Sequence, residues 1–190
     1  GDANGSQSGE TEMRCITIVL LLAAAAMLQA RAQVQIDKRK PVPAGVNVGI
    51  GNSFGSVVVT AWEKNEVWVK GTLAPGAMGL SFESNTSDDE DENGKKIKQT
   101  YAEIQVETPN SWTFESDDDT DYRSVLEIYV PKSASLRMQS VNASLTASGV
   151  AGEIDAETVN GAIKVSGGTG EARFRTLTGV VEYDGAAKAL

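Results

Sequence analysis

Two runs of acidic residues have a spacing that could hold a metal ion. The first, a D-x-D-x-N-G motif at Asp89–Gly94, matches the first half of a calcium-binding loop, because alternating oxygen ligands followed by glycine can wrap around a hard cation. Thr100 stands where such a loop needs a bidentate carboxylate, and the second run, Asp117–Asp121, lacks the glycine. We therefore predict a solvated, mobile acidic hairpin tip without a metal site. A calcium-dependent binding module is the alternative.

The residues used most often in catalysis are missing or lie outside the predicted fold. The chain has no histidine, and its single cysteine is Cys15 near the N-terminus, so the usual nucleophile–base pairs cannot be built. A serine–lysine pair that uses Lys70 or Lys164 has no supporting motif, and Glu153 and Asp155 fall on outward strand positions. We predict no enzyme activity, no catalytic residue, no bound metal and no cofactor. A polysaccharide-active enzyme is the weakest alternative.

Trp68 is the aromatic side chain best placed to bind a ligand. In its predicted strand it points opposite to Val67 and Val69, so it faces outward if they face the core. An outward tryptophan could stack on a sugar or anchor a protein partner. A covered ring is the more common arrangement, and we predict that the loop containing Trp112 covers it.

The overall charge limits the classes of partner. Among 190 residues the chain has 17 Lys and Arg against 26 Asp and Glu, a formal net charge of −9, with 41% hydrophobic residues. This composition suits one globular domain, and the negative charge makes nucleic acid and anionic lipid poor partners. With one cysteine, no intrachain disulfide can form, so the fold depends on its core and its strand pairing.

The N-terminal segment reads as a targeting signal. Arg14 precedes the apolar run Cys15–Leu28, and a small-x-small site ends at Ala32, which is the plan of a secretory signal peptide. We predict that residues 1–32 comprise a non-native leader before Met13 and a signal peptide that is cleaved after Ala32. A buried helix or an uncleaved anchor is the alternative, although the run is too short for a stable span. The remaining domain, residues 33–190, is expected in the periplasm, secreted or on the cell surface.

After the signal, alternating apolar residues replace any helical period. Segments that begin at Ser140, Thr158 and Thr176 align without a gap at an offset of 18 residues. Such a period predicts stacked strand units in which like residues lie about 4.8 Å apart and bury their apolar side. The apolar columns are Val141, Val159 and Leu177; Leu145, Ile163 and Val181; Ala147, Val165 and Tyr183; and Leu136, Ile154, Ala172 and Leu190. Gly149, Gly167 and Gly185 mark the corners, and Asn142, Asn160 and Thr178 are predicted to bond turn backbone.

These repeats, about residues 132–190, predict an all-β, single-domain β-solenoid or β-roll, preceded by a signal-peptide helix. A variant of the unit begins at Asn52, and a tight turn at Glu63–Glu66 leads into a returning strand. An acidic insert, about residues 75–124, follows. Glu153 and Glu171 stand where a hexapeptide left-handed helix needs apolar residues, so we prefer two main strands per turn. Three unrelated hairpins are the alternative.

The order of these motifs resembles a family of bacterial envelope proteins. The glycine-containing segment Asn52–Val59, the Trp62 turn with Val67–Gly71, and the strand Leu126–Pro131 lead into glycine-spaced units from Val141 onward. This arrangement is similar to the adhesin family of bacterial envelopes, whose β-solenoid domains are related to the toast-rack repeats found beside envelope-stress regulators. The resemblance implies export and a repetitive β fold, and brings no agreed activity, catalytic residue or cofactor.

The predicted function is a non-catalytic exported scaffold that binds another envelope protein or a surface. An envelope-stress sensing domain is a second alternative beside the calcium module. Leu190 begins a fourth unit, so the third unit, from about Ala172 to Gly185, is predicted to have an unpaired strand edge. Because a bare edge invites pairing, we expect either further units after Leu190 or self-association at this edge.

Overall fold

The computed structural model describes residues 33–90, 93–109 and 121–185. These ranges contain thirteen β-strands and no helix, so the all-β prediction is confirmed. The predicted signal peptide lies outside the described residues and stays a prediction. The strands are β1 Val34–Pro41, β2 Asn47–Gly51, β3 Phe54–Trp62, β4 Glu66–Leu73, β5 Gly79–Glu90, β6 Lys96–Glu107, β7 Ser124–Pro131, β8 Ser135–Ser140, β9 Asn142–Ser148, β10 Ile154–Asn160, β11 Ile163–Ser166, β12 Ala172–Thr178 and β13 Val181–Asp184.

Two sheets enclose one apolar core. The seven-stranded sheet has the order β1-β4-β7-β3-β9-β11-β13, and the six-stranded sheet has the order β12-β10-β8-β2-β6-β5. Alternating side chains from both sheets meet in the interior, as expected for strands with one buried face. From Gln33 onward the chain forms one compact unit. The largest fully buried side chains are Ile104, Leu126, Ile128, Met138, Leu145 and Ile163.

The three C-terminal units each give one strand to each sheet. Strands β8, β10 and β12 pair in parallel, with Leu136 beside Ile154 and Ile154 beside Ala172. Strands β9, β11 and β13 also pair in parallel, with Ile163 between Leu145 and Val181. Partner residues therefore differ by 18 in number, so the sequence columns are the rows of strand neighbours that run across the sheets.

One predicted column is wrong. Val141, Val159 and Leu177 were expected to bury their side chains, and all three are exposed. The reason is the alternation within β10, where Thr158 takes the inward position and is buried, so Val159 must point outward.

The corners use side chains differently from the prediction. Gly149 and Gly167 have φ values of 72° and 66°, in the left-handed region that glycine adopts without strain. The turn backbone is bonded by threonine, because the Thr158 hydroxyl donates to the Ala143 carbonyl at 3.3 Å. The asparagine column instead bonds within itself: the Asn160 amide donates to the Asn142 side-chain oxygen at 2.9 Å.

The N-terminal half extends the same two sheets. Strand β2 pairs with β8, and β3 pairs with β9, so Val57 lies beside Leu145. The predicted acidic insert is only partly an insert, because β5 and β6 form an antiparallel hairpin whose base adds two strands to the six-stranded sheet. Phe82 and Ile104 at that base are core residues.

Two features of this half differ from the prediction. The strands on either side of the Glu63–Glu66 turn do not pair with each other, since β7 lies between β3 and β4. Strand β1 was not predicted at all, because its sequence is charged and lacks a regular alternation. It pairs with β4 and forms the outer strand of the seven-stranded sheet.

Candidate functional site

The acidic hairpin tip is a straight ladder in the described residues. Glu90 pairs with Lys96 and Thr86 with Thr100, so the segment that would have to curl around a calcium ion runs back along its partner strand. The Thr100 hydroxyl hydrogen-bonds that of Thr86 at 3.0 Å. No group of three or more His, Cys, Asp or Glu in the described ranges is arranged to hold a metal. Asp91 and most of the second acidic run lie outside those ranges.

Asp89 has neighbours that stabilise its charged form. The Tyr101 hydroxyl donates to one Asp89 carboxylate oxygen at 2.9 Å, and the backbone N–H of Glu90 donates to the other at 2.9 Å. The Tyr101 hydrogen bond, followed by that of Glu90, lowers the pKa of Asp89, and the same bond raises the pKa of Tyr101. Asp89 therefore fastens the two hairpin strands together.

The lysines considered for catalysis are paired with carboxylates. The Lys164 ammonium lies 2.7 Å from the Glu182 carboxylate, and Lys70 lies 3.7 Å from Glu127. The hydrogen bond to Glu182 raises the pKa of Lys164, whereas a lysine that acts as a base needs a lowered pKa. Glu153 is likewise paired, with Arg173 at 2.7 Å.

Trp68 faces outward as predicted, and its cover comes from neighbouring strands. The Arg39 guanidinium lies 3.8 Å from the centroid of its ring, and the Tyr129 ring stacks 5.1 Å away. The Trp62 ring lies 5.9 Å from the Trp68 ring, and the indole N–H of Trp68 donates to the Asp37 carboxylate at 2.6 Å. Because cations and rings already contact this cluster, it is better suited to bracing the sheet than to stacking on a sugar. Trp112 lies outside the described residues.

A polar groove of about 410 Å³ crosses the outer face of the six-stranded sheet. Arg137 lies at its centre, between Asp155 on one neighbouring strand and Gly49 on the other. The Glu103 side chain lies over Gly49, and Arg173 is committed to Glu153. Opposite charges alternate along this groove, so it presents no concentrated charge to a ligand.

At one end of the described domain, the outermost strand of each sheet has a free outer edge. We call the edges of β12 and β13 the open end, because in the described residues no strand pairs with their outer sides. The rings of Phe174 and Tyr183, 5.5 Å apart and half-buried, lie between the two sheets there. Beside them Leu177 is 82% exposed, Val180 61% and Val181 40%. Unpaired backbone next to exposed aliphatic side chains is the arrangement that accepts an added strand.

The opposite end is bridged by charged side chains. We call the edges of β1 and β5 the closed end. The Lys38 ammonium donates to the Leu80 carbonyl at 2.9 Å, and the Lys40 ammonium lies 5.3 Å from the Phe82 ring centroid. Both contacts join the two sheets across the end of the core. Lysines on an edge strand discourage pairing with an edge that lacks complementary charge, so the open end is the stronger candidate for binding.

The sequence predicted part of this surface. The period showed that the unit ending at Gly185 would have a free edge, and the structure places β12 and β13 at the ends of both sheets. Leu190 lies outside the described residues. Leu177 was missed as a surface residue, since a column of apolar residues favours burial. The signal that could have found it is the adjacent Thr158–Thr176 column, because an inward threonine turns the next residue outward.

Comparisons with known proteins give distant similarities to solved structures. No protein-family model matches the chain, and no curated protein matches it significantly. A putative cell adhesion protein from Clostridium sporogenes aligns with 81% of this chain and 98% of its own, at 6% identity and a TM-score of 0.40. A putative adhesin from Bacteroides fragilis aligns with 83% of this chain and 96% of its own, at 10% identity and a TM-score of 0.24. With values this low, function has to be argued from this chain's own residues.

In the described ranges, no helix is long and apolar enough to cross a membrane.

Proposed function

We propose that this protein is an exported, non-catalytic β-solenoid of 18-residue repeats that binds a partner of the cell envelope or surface through its open end. The observation that carries the proposal is that the outer edges of β12 and β13 have no strand partner within the described residues and are flanked by exposed Leu177 and Val180. An added strand would complete the hydrogen bonds of the edge, and the aliphatic side chains would supply apolar contact area.

Export is supported by the N-terminal segment. The apolar run Cys15–Leu28 and the small-x-small site that ends at Ala32 fit a cleaved signal, which would deliver the domain from Gln33 to the periplasm, the cell surface or the medium. N-terminal sequencing of the exported protein should return a chain that begins at Gln33. A product that retains Met13 would contradict cleavage.

A binding role without catalysis is supported by the described side chains. Two of the groups considered as bases are held in ion pairs, Lys164 with Glu182 and Glu153 with Arg173. The sequence resemblance to the envelope adhesin family agrees with a binding domain.

The test is co-sedimentation of labelled domain, at trace concentration, with isolated bacterial envelopes. The variant L177E/V180E places two charges on the open end, and V125E is the matched control, since Val125 is exposed on the middle of the other sheet. We expect L177E/V180E to lose most of the bound fraction and V125E to keep it. Equal binding by both variants would overturn the assignment of the open end.

A further inference from the structure

We propose that one partner of the open end is a second copy of this chain, whose closed end stacks on it head to tail. The proposal rests on the function above, because it names a partner for the same edge. Its basis is the distribution of charge along the four outer strands and the register that the sheets impose.

Each sheet carries opposite charges at its two edges. In the six-stranded sheet, the β12 edge has outward Arg175 and outward Arg173, which also pairs with Glu153 and Glu171 of its own chain, and the β5 edge has Glu83. In the seven-stranded sheet the order is reversed: the β13 edge carries Glu182 and Asp184, and the β1 edge carries the basic run Lys38–Lys40. A head-to-tail contact therefore brings opposite charges together in both sheets.

The strand register aligns specific pairs. Following neighbours across the six-stranded sheet, Arg173 lies in the same row as Glu83, and Phe174 lies in the same row as Phe82. If these rows continue unshifted into the next copy, each of these residues meets the other across the junction. The junction then pairs an arginine with a glutamate on the surface. Beneath it, Phe174 lies in the row of the buried Phe82, whose ring Lys40 already contacts.

The same unshifted alignment fits the seven-stranded sheet. Asp184 shares a row with Arg39, and Val181 shares one with Ile36. Tyr183 shares a row with Lys38, which allows an ammonium–ring contact. Glu182 meets Asp37, the one like-charged pair among these rows, although Lys164 already neutralises Glu182. One alignment thus satisfies both sheets.

A two-fold contact that sets β12 against β12 and β13 against β13 is unfavourable. It would bring the Arg173 and Arg175 edge against itself, and the Glu182 and Asp184 edge against itself. Like charges directly opposite each other destabilise paired strands. The head-to-tail contact avoids this repulsion, and as a heterologous contact it generates open chains or rings rather than closed dimers.

Sedimentation velocity of the domain from Gln33 to Leu190, which holds the whole described core, tests the assembly. At about 0.1 M salt the weight-average mass should rise continuously with protein concentration. At about 1 M salt it should return towards the mass of the monomer, because the Debye screening length shortens to about 3 Å. A monomer at every concentration and salt would overturn the proposal.

A charge exchange identifies the surfaces. R173E and E83R should each lose assembly, and an equimolar mixture of the two should regain it, because the reversed edges then match each other. R137E is the control, since it makes the same charge change on an inner strand. If R173E has a lowered melting temperature, its loss of assembly could reflect misfolding. The test then depends on the loss of assembly by E83R and on its recovery in the mixture. Assembly that is unaffected by E83R would overturn the assigned partner edge.

Cysteine cross-linking tests the head-to-tail order of the copies without changing Arg173 or Glu83. The domain from Gln33 has no cysteine, so D184C and R39C each introduce a unique thiol. A bis-maleimide reagent should link D184C to R39C and leave either variant alone monomeric. D184C dimers would overturn the head-to-tail polarity while leaving the open end as a binding site. Envelope binding unaffected by L177E/V180E would instead remove the proposed function itself.

Discussion

The two ends of the molecule close the same core by different means. At the closed end the chain adds antiparallel strands, and the Lys38 and Lys40 side chains cross from one sheet to the other. At the open end, β12 and β13 are the outermost strands of the described residues, and the rings of Phe174 and Tyr183 lie between the sheets. A repeat that stacks in parallel can always accept another strand, whereas an added antiparallel strand with charged side chains interrupts the pattern. We infer from this difference that the repeat provides the edge for a partner strand, whereas the charged N-terminal strands restrict which edges can pair at the other end.

The largest expected effect comes from the core that joins the two ends. I163D places a carboxylate at a fully buried position near the open end, which costs several kcal/mol, comparable with the stability of the whole domain. We expect loss of the folded state by circular dichroism. K164D, one position along and exposed, should stay folded. Equal tolerance of the two changes would show that this column does not support the fold.

Aromatic truncation compares the ends directly. F82A removes a buried ring at the closed end and should lower the free energy of unfolding by about 3–5 kcal/mol. F174A removes a half-buried ring at the open end and should cost about 1–2 kcal/mol, because less area is lost from the core. Urea denaturation measures both. A larger loss for F174A would mean that the open end is the better-packed one.

The threonine column gives a smaller contrast. T158V removes the buried hydrogen bond to the Ala143 carbonyl and should cost about 1 kcal/mol. Thr176, one unit nearer the open end, lies 3.5 Å from the Gly161 carbonyl and is only half-buried, so T176V should be close to neutral. Thermal melts of the two variants check the order, and the reverse order would contradict it.

The smallest effect is the pH dependence of the Lys164–Glu182 pair beside the open end. The hydrogen bond from Lys164 lowers the pKa of Glu182, so its stabilisation is complete above about pH 4.3 and is lost as the pH falls through the lowered value. The raised pKa of Lys164 means that its share is present below about pH 10.4 and is lost as the pH rises further. Both groups are exposed, so the effect is small and salt-sensitive. The melting temperature of E182Q should fall slightly below that of the wild type at pH 7, and the gap should close in acid. If the difference in melting temperature persists at low pH, it does not come from the Lys164–Glu182 pair.

The sequence predicted the repeat register better than the surroundings of the repeat. Leu145 and Ile163 were identified as stacked neighbours because an ungapped period specifies which residues pair. The outward position of Val159 was not, since it depends on whether threonine or valine takes the inward side of β10. The pairing of β1 with β4, and the placing of β7 between β3 and β4, depend on contacts between residues far apart in the chain. Local patterns carry no signal for such contacts.

The position of the candidate site was predicted from the same period, but the distribution of charge between the two ends was not. The period predicted a free edge for the unit that ends at Gly185, and in the described residues β12 and β13 are the outermost strands of the two sheets. The bridging role of Lys38 required the position of Leu80 on the other sheet, which only the fold supplies. For the same reason the opposite charges at the two edges of each sheet become visible only once the strand order is known.

Amide hydrogen exchange of the domain, free and bound to isolated envelopes, tests the central claim most directly. If the open end accepts a partner strand, the amides of Ala172–Asp184 should gain protection on binding, while those of Val34–Pro41 in the closed end should keep their free-state rates when the domain is kept at trace concentration. Protection that appears only at the closed end, or only on the outer sheet faces around Trp68 and Arg137, would contradict the assignment of the open end as the binding surface.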